Sequence, residues 1–118
     1  MKLRGHLERG STPCMVLRKS GQSVHVTIDT GFDGDLCLDS RTLEGWRFEF
    51  IGTQEVELAD GSVIDSRIFS GTILWFGKTK RVLAHETSSK ECLLGTVLLR
   101  DVELKVNIRD RDVSLTSR

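Results

Sequence analysis

The stretch VHVTIDTGFDGDLCLD, residues 24–39, carries an acid at the end of an apolar run and follows it with Thr30-Gly31. A carboxylate in that place is either a turn former or a working group. Two carboxylates held about 3 Å apart come to share one proton, because like charges that close do not both ionise easily. Such a pair can take a proton from water with one group and protonate a carbonyl oxygen with the other, which needs neither a metal nor a covalent nucleophile. Asp29 supplies one carboxylate, and the chain has no second Asp-Thr-Gly. A paired site therefore calls for a second copy of the chain, with the two Asp29 residues meeting on a two-fold axis.

Neighbouring groups offer rival chemistries. Asp33 and Asp35 follow closely, but residues 29–35 lack the spacing of a calcium loop and no glutamate closes them. Cys37 sits inside a strand pattern without an evident histidine partner, which suits a structural thiol better than a nucleophile. His6, His25 and His85 are scattered, and His25 falls on the strand face opposite the valines, where it reads as solvated. Cys14, Cys37 and Cys92 are odd in number and widely spaced. That is neither a zinc knuckle nor a disulfide framework, and it suits a reducing, cytoplasmic setting.

The elements that must position Asp29 are mostly strands. Period-two alternation dominates the chain, and the single proline, Pro13, lies near its start. CMVLRKS and SVHVTID read as paired strands about a Gly21-Gln22 turn, with Val24, Val26 and Ile28 on one face. LCLDS reads as a short strand, and SRTLEGWRF holds a single helical turn ending near Gly45. TQEVELADGSVIDSRIF reads as a long hairpin in which Asp60-Gly61 supplies the left-handed turn. GTILWFG, KRVLAHET and ECLLG are further strands, broken at Gly77 and at residues 88–90, and TVLLRD is expected to form a short helix. VELKVNI and DVSLTS close the chain about a charged turn at residues 109–111. The strand-like segments CMVLRKS and DVSLTS read as unprotected edges that a second chain would cover. Trp46, Trp75 and Phe76 read as core or dimer contacts. VTIDTGFDGDL and ECLLGTVLLRD echo each other as apolar runs entering a glycine turn.

Bulk properties narrow the function. The 118 residues suffice for one domain, 1–118, and 38% hydrophobic with 29% charged residues is the composition of a soluble globular chain. Basic and acidic residues balance at 17 each, so the basic excess that drives binding to nucleic acid or an anionic membrane is missing. No apolar run approaches the roughly 20 residues needed to cross a bilayer. MKLRGHLERG has no apolar segment of the kind a secretory signal carries.

Three features in chain order resemble the retropepsin-like aspartic proteases, and most of all their single-domain bacterial members with phenylalanine after the triad. These are IDTG at 28–31, LADGS at a hairpin tip at 58–62, and CLLGTVLL at 92–99. The resemblance spans roughly residues 12–117. It implies an all-β fold, a small closed barrel with one short helix near the C-terminus. It implies an aspartic endopeptidase, active as a homodimer on a peptide or protein substrate, with no cofactor and no metal. Asp29, Thr30 and Gly31 would be catalytic, with Thr30 bracing the partner's loop across the axis. Leu58, Ala59, Asp60, Gly61 and Ser62 would form the flap over substrate, and Leu93, Leu94 and Gly95 would support the active-site loop. Phe32 departs from the Ser or Ala more usual after the triad and removes a hydroxyl that supports the carboxylate. The flap tip is short of glycine and carries a charge at Asp60. A non-catalytic peptide-binding or dimerisation module on the same fold is the alternative.

Overall fold

Alternation of apolar and polar residues carries most of the chain into strands, and the computed structural model describes all 118 residues. In chain order the elements are β1 (Lys2–Glu8), β2 (Thr12–Lys19), β3 (Gln22–Ile28), β4 (Leu36–Asp39), α1 (Ser40–Gly45), β5 (Glu49–Glu57), β6 (Val63–Trp75), β7 (Lys78–Thr87), β8 (Cys92–Leu94), β9 (Val102–Asn107) and β10 (Asp112–Ser117). The strands form one ten-stranded sheet in the order β5-β6-β7-β4-β8-β3-β2-β1-β10-β9. The sheet folds over a core that includes Val26, Leu36, Leu38, Leu94, Val113 and Leu115. No helix is long and apolar enough to cross a membrane.

The expected strands, the long hairpin and the helical turn ending at Gly45 are all present. Asp39 caps that helix by accepting the Thr42 N–H at 2.9 Å, while Leu43 and the following Trp46 bury its inner face. The two echoing segments lie side by side, because β3 and β8 pair in parallel.

Four expectations are corrected. The sheet is open rather than a closed barrel, since β5 and β9 each pair on one side only. Charge and irregularity protect these ends instead: β5 carries Glu49, Glu55 and Glu57 and a register shift between Phe50 and Gly52, and β9 carries Glu103 and Lys105. The short helix expected near the C-terminus is absent. The Thr96 and Val97 N–H groups donate to Phe32 and Gly34, and only three-residue turns follow, at Arg100 to Val97 and Val102 to Leu99. The repeating four-residue bonds of an α-helix therefore never start there.

The segment GTILW is not a separate strand but the continuation of β6, which runs unbroken for 13 residues. Gly71 does not interrupt it, because the Phe48 ring occupies the space where a Cβ would stand. Finally, CMVLRKS and DVSLTS are not edges. β2 lies between β1 and β3, and β10 lies between β1 and β9.

β1 covers that supposed gap. Its residues 2–5 pair with β10 and residues 6–8 with β2, so it joins the two halves of the sheet. Gly5 sits where the pairing changes hands, against the Cys14 carbonyl and Val113, with no room for a side chain. The interior place of β10 yields a prediction. Val113 and Leu115 are fully buried, so Leu115→Ala should cost about 2–5 kcal/mol, read as a lower urea midpoint. Deleting residues 112–117 should abolish cooperative unfolding altogether. A truncated chain that still melts cooperatively would contradict this topology.

Candidate active site

Three chain ends converge at one rim of the sheet. β3 and β8 run parallel and finish there, and β4, antiparallel to β8, begins there. The strand order β4-β8-β3 forces the connection from β3 to β4, residues 29–35, to arch over the end of β8. The Asp29 N–H donates to the Leu94 carbonyl at 2.9 Å and so continues the β3–β8 ladder into the arch. The turn then closes on itself. The Phe32 N–H donates to the Asp29 carbonyl at 3.1 Å, and the Gly31 N–H donates to Asp29 Oδ1 at 2.8 Å. A Cβ at Gly31 would stand 3.2 Å from that oxygen, so glycine eases the close approach. Asp29 is half-buried, while Thr30 and Gly31 are exposed.

The chain leaving β8 clasps the arch from below. The Gly95 N–H donates to the Asp35 carbonyl at 2.9 Å, and the Val97 N–H to that of Gly34 at 3.1 Å. Thr96 gives both its N–H and its hydroxyl to the Phe32 carbonyl, at 2.9 and 3.2 Å. A Cβ on Gly95 would collide with the Gly34 carbonyl and with Phe32. On the far side, Asp35 Oδ2 accepts the Leu83 N–H at 2.9 Å, which ties the arch to β7.

Phe32 packs its ring edge-on to His85, with centroids 5.8 Å apart, and against Gly34. His85 also faces the Ser66 hydroxyl at 3.3 Å. Burial holds the His85 imidazole below its usual pKa, and the negative Asp35 partly opposes this. Cys37 lies opposite both His85 and Leu93, and burial pushes its thiol up, away from thiolate chemistry.

The structure thus brings Asp29, Thr30 and Gly31 together with Leu93, Leu94 and Gly95. Residues 58–62 stand apart at the exposed tip of the β5–β6 hairpin. The Gly61 N–H donates to the Leu58 carbonyl and the Leu58 N–H to that of Ser62, with Gly61 alone at positive φ. This is a tight turn closed by a left-handed glycine, so Asp60 does not share the left-handed conformation. Asp60 instead accepts the Ser62 N–H and hydroxyl, which hold its carboxyl below the usual range. Sequence reasoning missed Asp35, Thr96, Ser66 and His85 as parts of the arch. Asp35 and His85 were in view as charged and titratable groups, but nothing local linked Asp35 to Leu83 or His85 to Phe32, 48 and 53 positions away.

No protein-family model matches the sequence, and neither does any curated protein. Among solved structures, the chain is similar to a retropepsin-like aspartic protease from Rickettsia conorii, with a TM-score of 0.72 at 15% sequence identity. The similarity covers 98% of this chain and 90% of that one. The fold is that of a retropepsin-like aspartic protease. Within this retropepsin-like fold, Asp29 lies in the arch and residues 58–62 at the exposed tip of the β5–β6 hairpin.

Two predictions follow from the clasp. Gly95→Ala forces the arch off β8 and should cost about 1–3 kcal/mol in urea unfolding, with faster hydrogen exchange at the Asp29 amide. An unchanged midpoint would mean that the arch does not rest on Gly95. For His85, the folded pKa lies below the unfolded one, so the unfolded chain takes up the proton first as pH falls. This stability is fully present above about pH 6.5 and declines below it. His85→Gln should therefore flatten the fall in stability between about pH 7 and about pH 5. An identical slope in the variant would exclude His85 as its source.

Proposed function

We propose that the chain is one half of a homodimeric aspartic endopeptidase. The observation that carries this reading is a single, turn-held carboxylate, Asp29, at the exposed rim of a retropepsin-like fold. One acid per chain cannot make a proton-sharing pair, so two copies must face each other through their Asp29-Thr30-Gly31 loops. The exposure of Thr30 and Gly31 supports this, because nothing within the chain covers the rim.

In the paired site, the ionised member takes a proton from water, and the hydroxide so formed attacks the peptide carbonyl carbon. The protonated member gives its proton to the carbonyl oxygen. Collapse of the resulting diol then breaks the C–N bond: the member that took water's proton gives it to the amide nitrogen, and the other member takes a proton back from a diol hydroxyl. The Gly31 N–H steadies one Asp29 oxygen throughout, and the Thr30 hydroxyl bonds to the partner's loop. The hairpin tip, Leu58 to Ser62, folds over an extended peptide and offers it backbone groups. Val63 and Ile64, beside the tip on β6, are exposed apolar residues that a bound peptide would cover.

A non-catalytic peptide-binding or dimerisation module is the second reading. It is favoured by Phe32, which places a ring packed on His85 where a hydroxyl would support the carboxylate. One set of measurements separates the two. On a peptide library, wild type should cleave and Asp29→Asn should lose at least about 100-fold in rate at unchanged melting temperature, since an amide is neither acid nor base. Specific activity of wild type should fall on dilution, in step with dimer dissociation followed by sedimentation. Undiminished cleavage by pure Asp29→Asn would remove Asp29 from the mechanism. Peptide binding without cleavage by wild type would establish the module.

A further inference from the structure

A second constellation lies on the outer face of β1 and β3. Neither the retropepsin-like fold nor the proposed hydrolysis uses it. His6 and Glu8 stand two residues apart on β1 and so share a face, and His25 reaches them from β3 on the far side of β2. His6 Nε2 is 3.0 Å from Glu8 Oε1, and His25 Nδ1 is 3.4 Å from the same oxygen. One ligand atom from each of the three residues falls within 4.8 Å of the others. We propose that His6, Glu8 and His25 bind a first-row divalent transition ion, of which zinc is the natural probe.

Distance favours this first. Ligands bound at about 2.0–2.1 Å to a tetrahedral ion stand about 3.3 Å apart. The two histidine–glutamate separations straddle that value, and the side chains are exposed enough to close the third edge by small rotations.

The orientation of Glu8 is the second argument. Its two oxygens are divided between different partners. Oε2 lies 3.7 Å from the buried Cys14 thiol, whose other acceptor is the Thr12 carbonyl at 3.6 Å, and Oε1 is turned to both imidazoles. A donor behind a ligating carboxylate fixes its direction, as outer partners of metal ligands commonly do. The salt bridges of Glu8 are to histidines alone, with no lysine or arginine competing for the oxygen.

The surroundings agree. A cavity of about 380 Å³ adjoins the cluster and is lined by Glu8, His25 and Cys14, together with Arg9, Lys90 and Glu91. Two acids against two bases leave no net positive charge to repel a cation, and the cavity leaves room for water at an open coordination position. The donor set selects the ion: two imidazoles and one carboxylate suit zinc, cobalt, nickel or copper, whereas calcium and magnesium take oxygen ligands. His25 is four residues before Asp29, about 13 Å along a strand, so the ion would clamp β1 to β3 and take no direct part at the rim. The expectation of no metal rested on local spacing, and these ligands are spread over 20 positions with no motif to mark them.

The test uses tag-free, chelator-stripped, full-length protein titrated with zinc by calorimetry, and with cobalt as an optical probe of tetrahedral geometry. Wild type should bind one ion per chain, and saturating zinc should raise the melting temperature by roughly 5–10 °C. His6→Ala, His25→Ala and Glu8→Gln should each weaken binding at least about tenfold, and the double histidine variant should abolish the thermal shift. A Cys37→Ser variant should bind as wild type does, because that thiol lies on β4 opposite His85 and outside the cavity. Asp29→Asn should also bind normally, which separates this site from the hydrolytic reading. No binding by wild type up to about 1 mM zinc, or equal affinity in the double histidine variant, would overturn the site.

Discussion

The hydrogen bond from the Asp29 N–H to the Leu94 carbonyl extends the parallel β3–β8 ladder by one residue past the last strand position. That one bond decides where the acid stands. A loop residue after a strand would ordinarily choose among several conformations at a cost of about 1–2 kcal/mol to fix it. Here the ladder fixes the backbone of Asp29 and leaves only the side chain to be held, which the Gly31 N–H does. The bond exists because β8 is wedged between β3 and β4 and ends at the same rim. A three-residue strand has little pairing energy of its own. It is held from both sides, with Cys92 and Leu94 buried, so that its final carbonyl is a rigid acceptor.

The arch imposes the second constraint. A connection that must cross the end of β8 leaves no space for the chain emerging from it. Gly95 meets that demand by lacking a side chain, and its N–H joins those of Thr96 and Val97 in satisfying three carbonyls of the arch. An unpaired carbonyl in a half-buried loop costs about 1–3 kcal/mol, so these bonds stabilise the arch as much as they position it. Asp35 anchors the opposite foot on Leu83. The loop that carries Asp29 is thus tied to β8 at one foot and to β7 at the other, and moves only if the sheet rim moves with it.

Local pattern made much of this legible. Val24, Val26 and Ile28 alternate on β3, a single helical turn ends at Gly45, and Gly61 turns the long hairpin. Each is a signal contained within a few residues. β1 was not legible because Gly5 and His6 interrupt its alternation. Gly5 is there for a contact with Cys14 and Val113 that only the folded chain creates. The same lack of long-range information made β10 look like an edge, since a strand of alternating residues does not reveal how many neighbours it has. TVLLRD has the composition of a helix, but only three-residue turns form, and Asp101, at positive φ with its carbonyl held by the Arg118 N–H, turns the chain into β9. In each case a tertiary partner far along the chain overrode a local preference.

β3 shows how one strand serves several ends. Its inward residues, Val26 and Ile28, build the core, so the register against β2 and β8 cannot slip without turning them out to water. That fixed register is what gives the outward residues meaning. His25 meets Glu8 on a diagonal over β2, between the rows set by the His25–Val16 and Glu8–Thr12 pairs, and Thr27 contacts Cys14 because those two are paired. Asp29 reaches Leu94 because Ile28 is already opposite that residue. The apolar face of the strand therefore sets the geometry of the polar one. Substitutions that loosen Val26 or Ile28 act on the acid at the rim and on the histidine cluster together, although neither valine nor isoleucine touches a substrate or an ion.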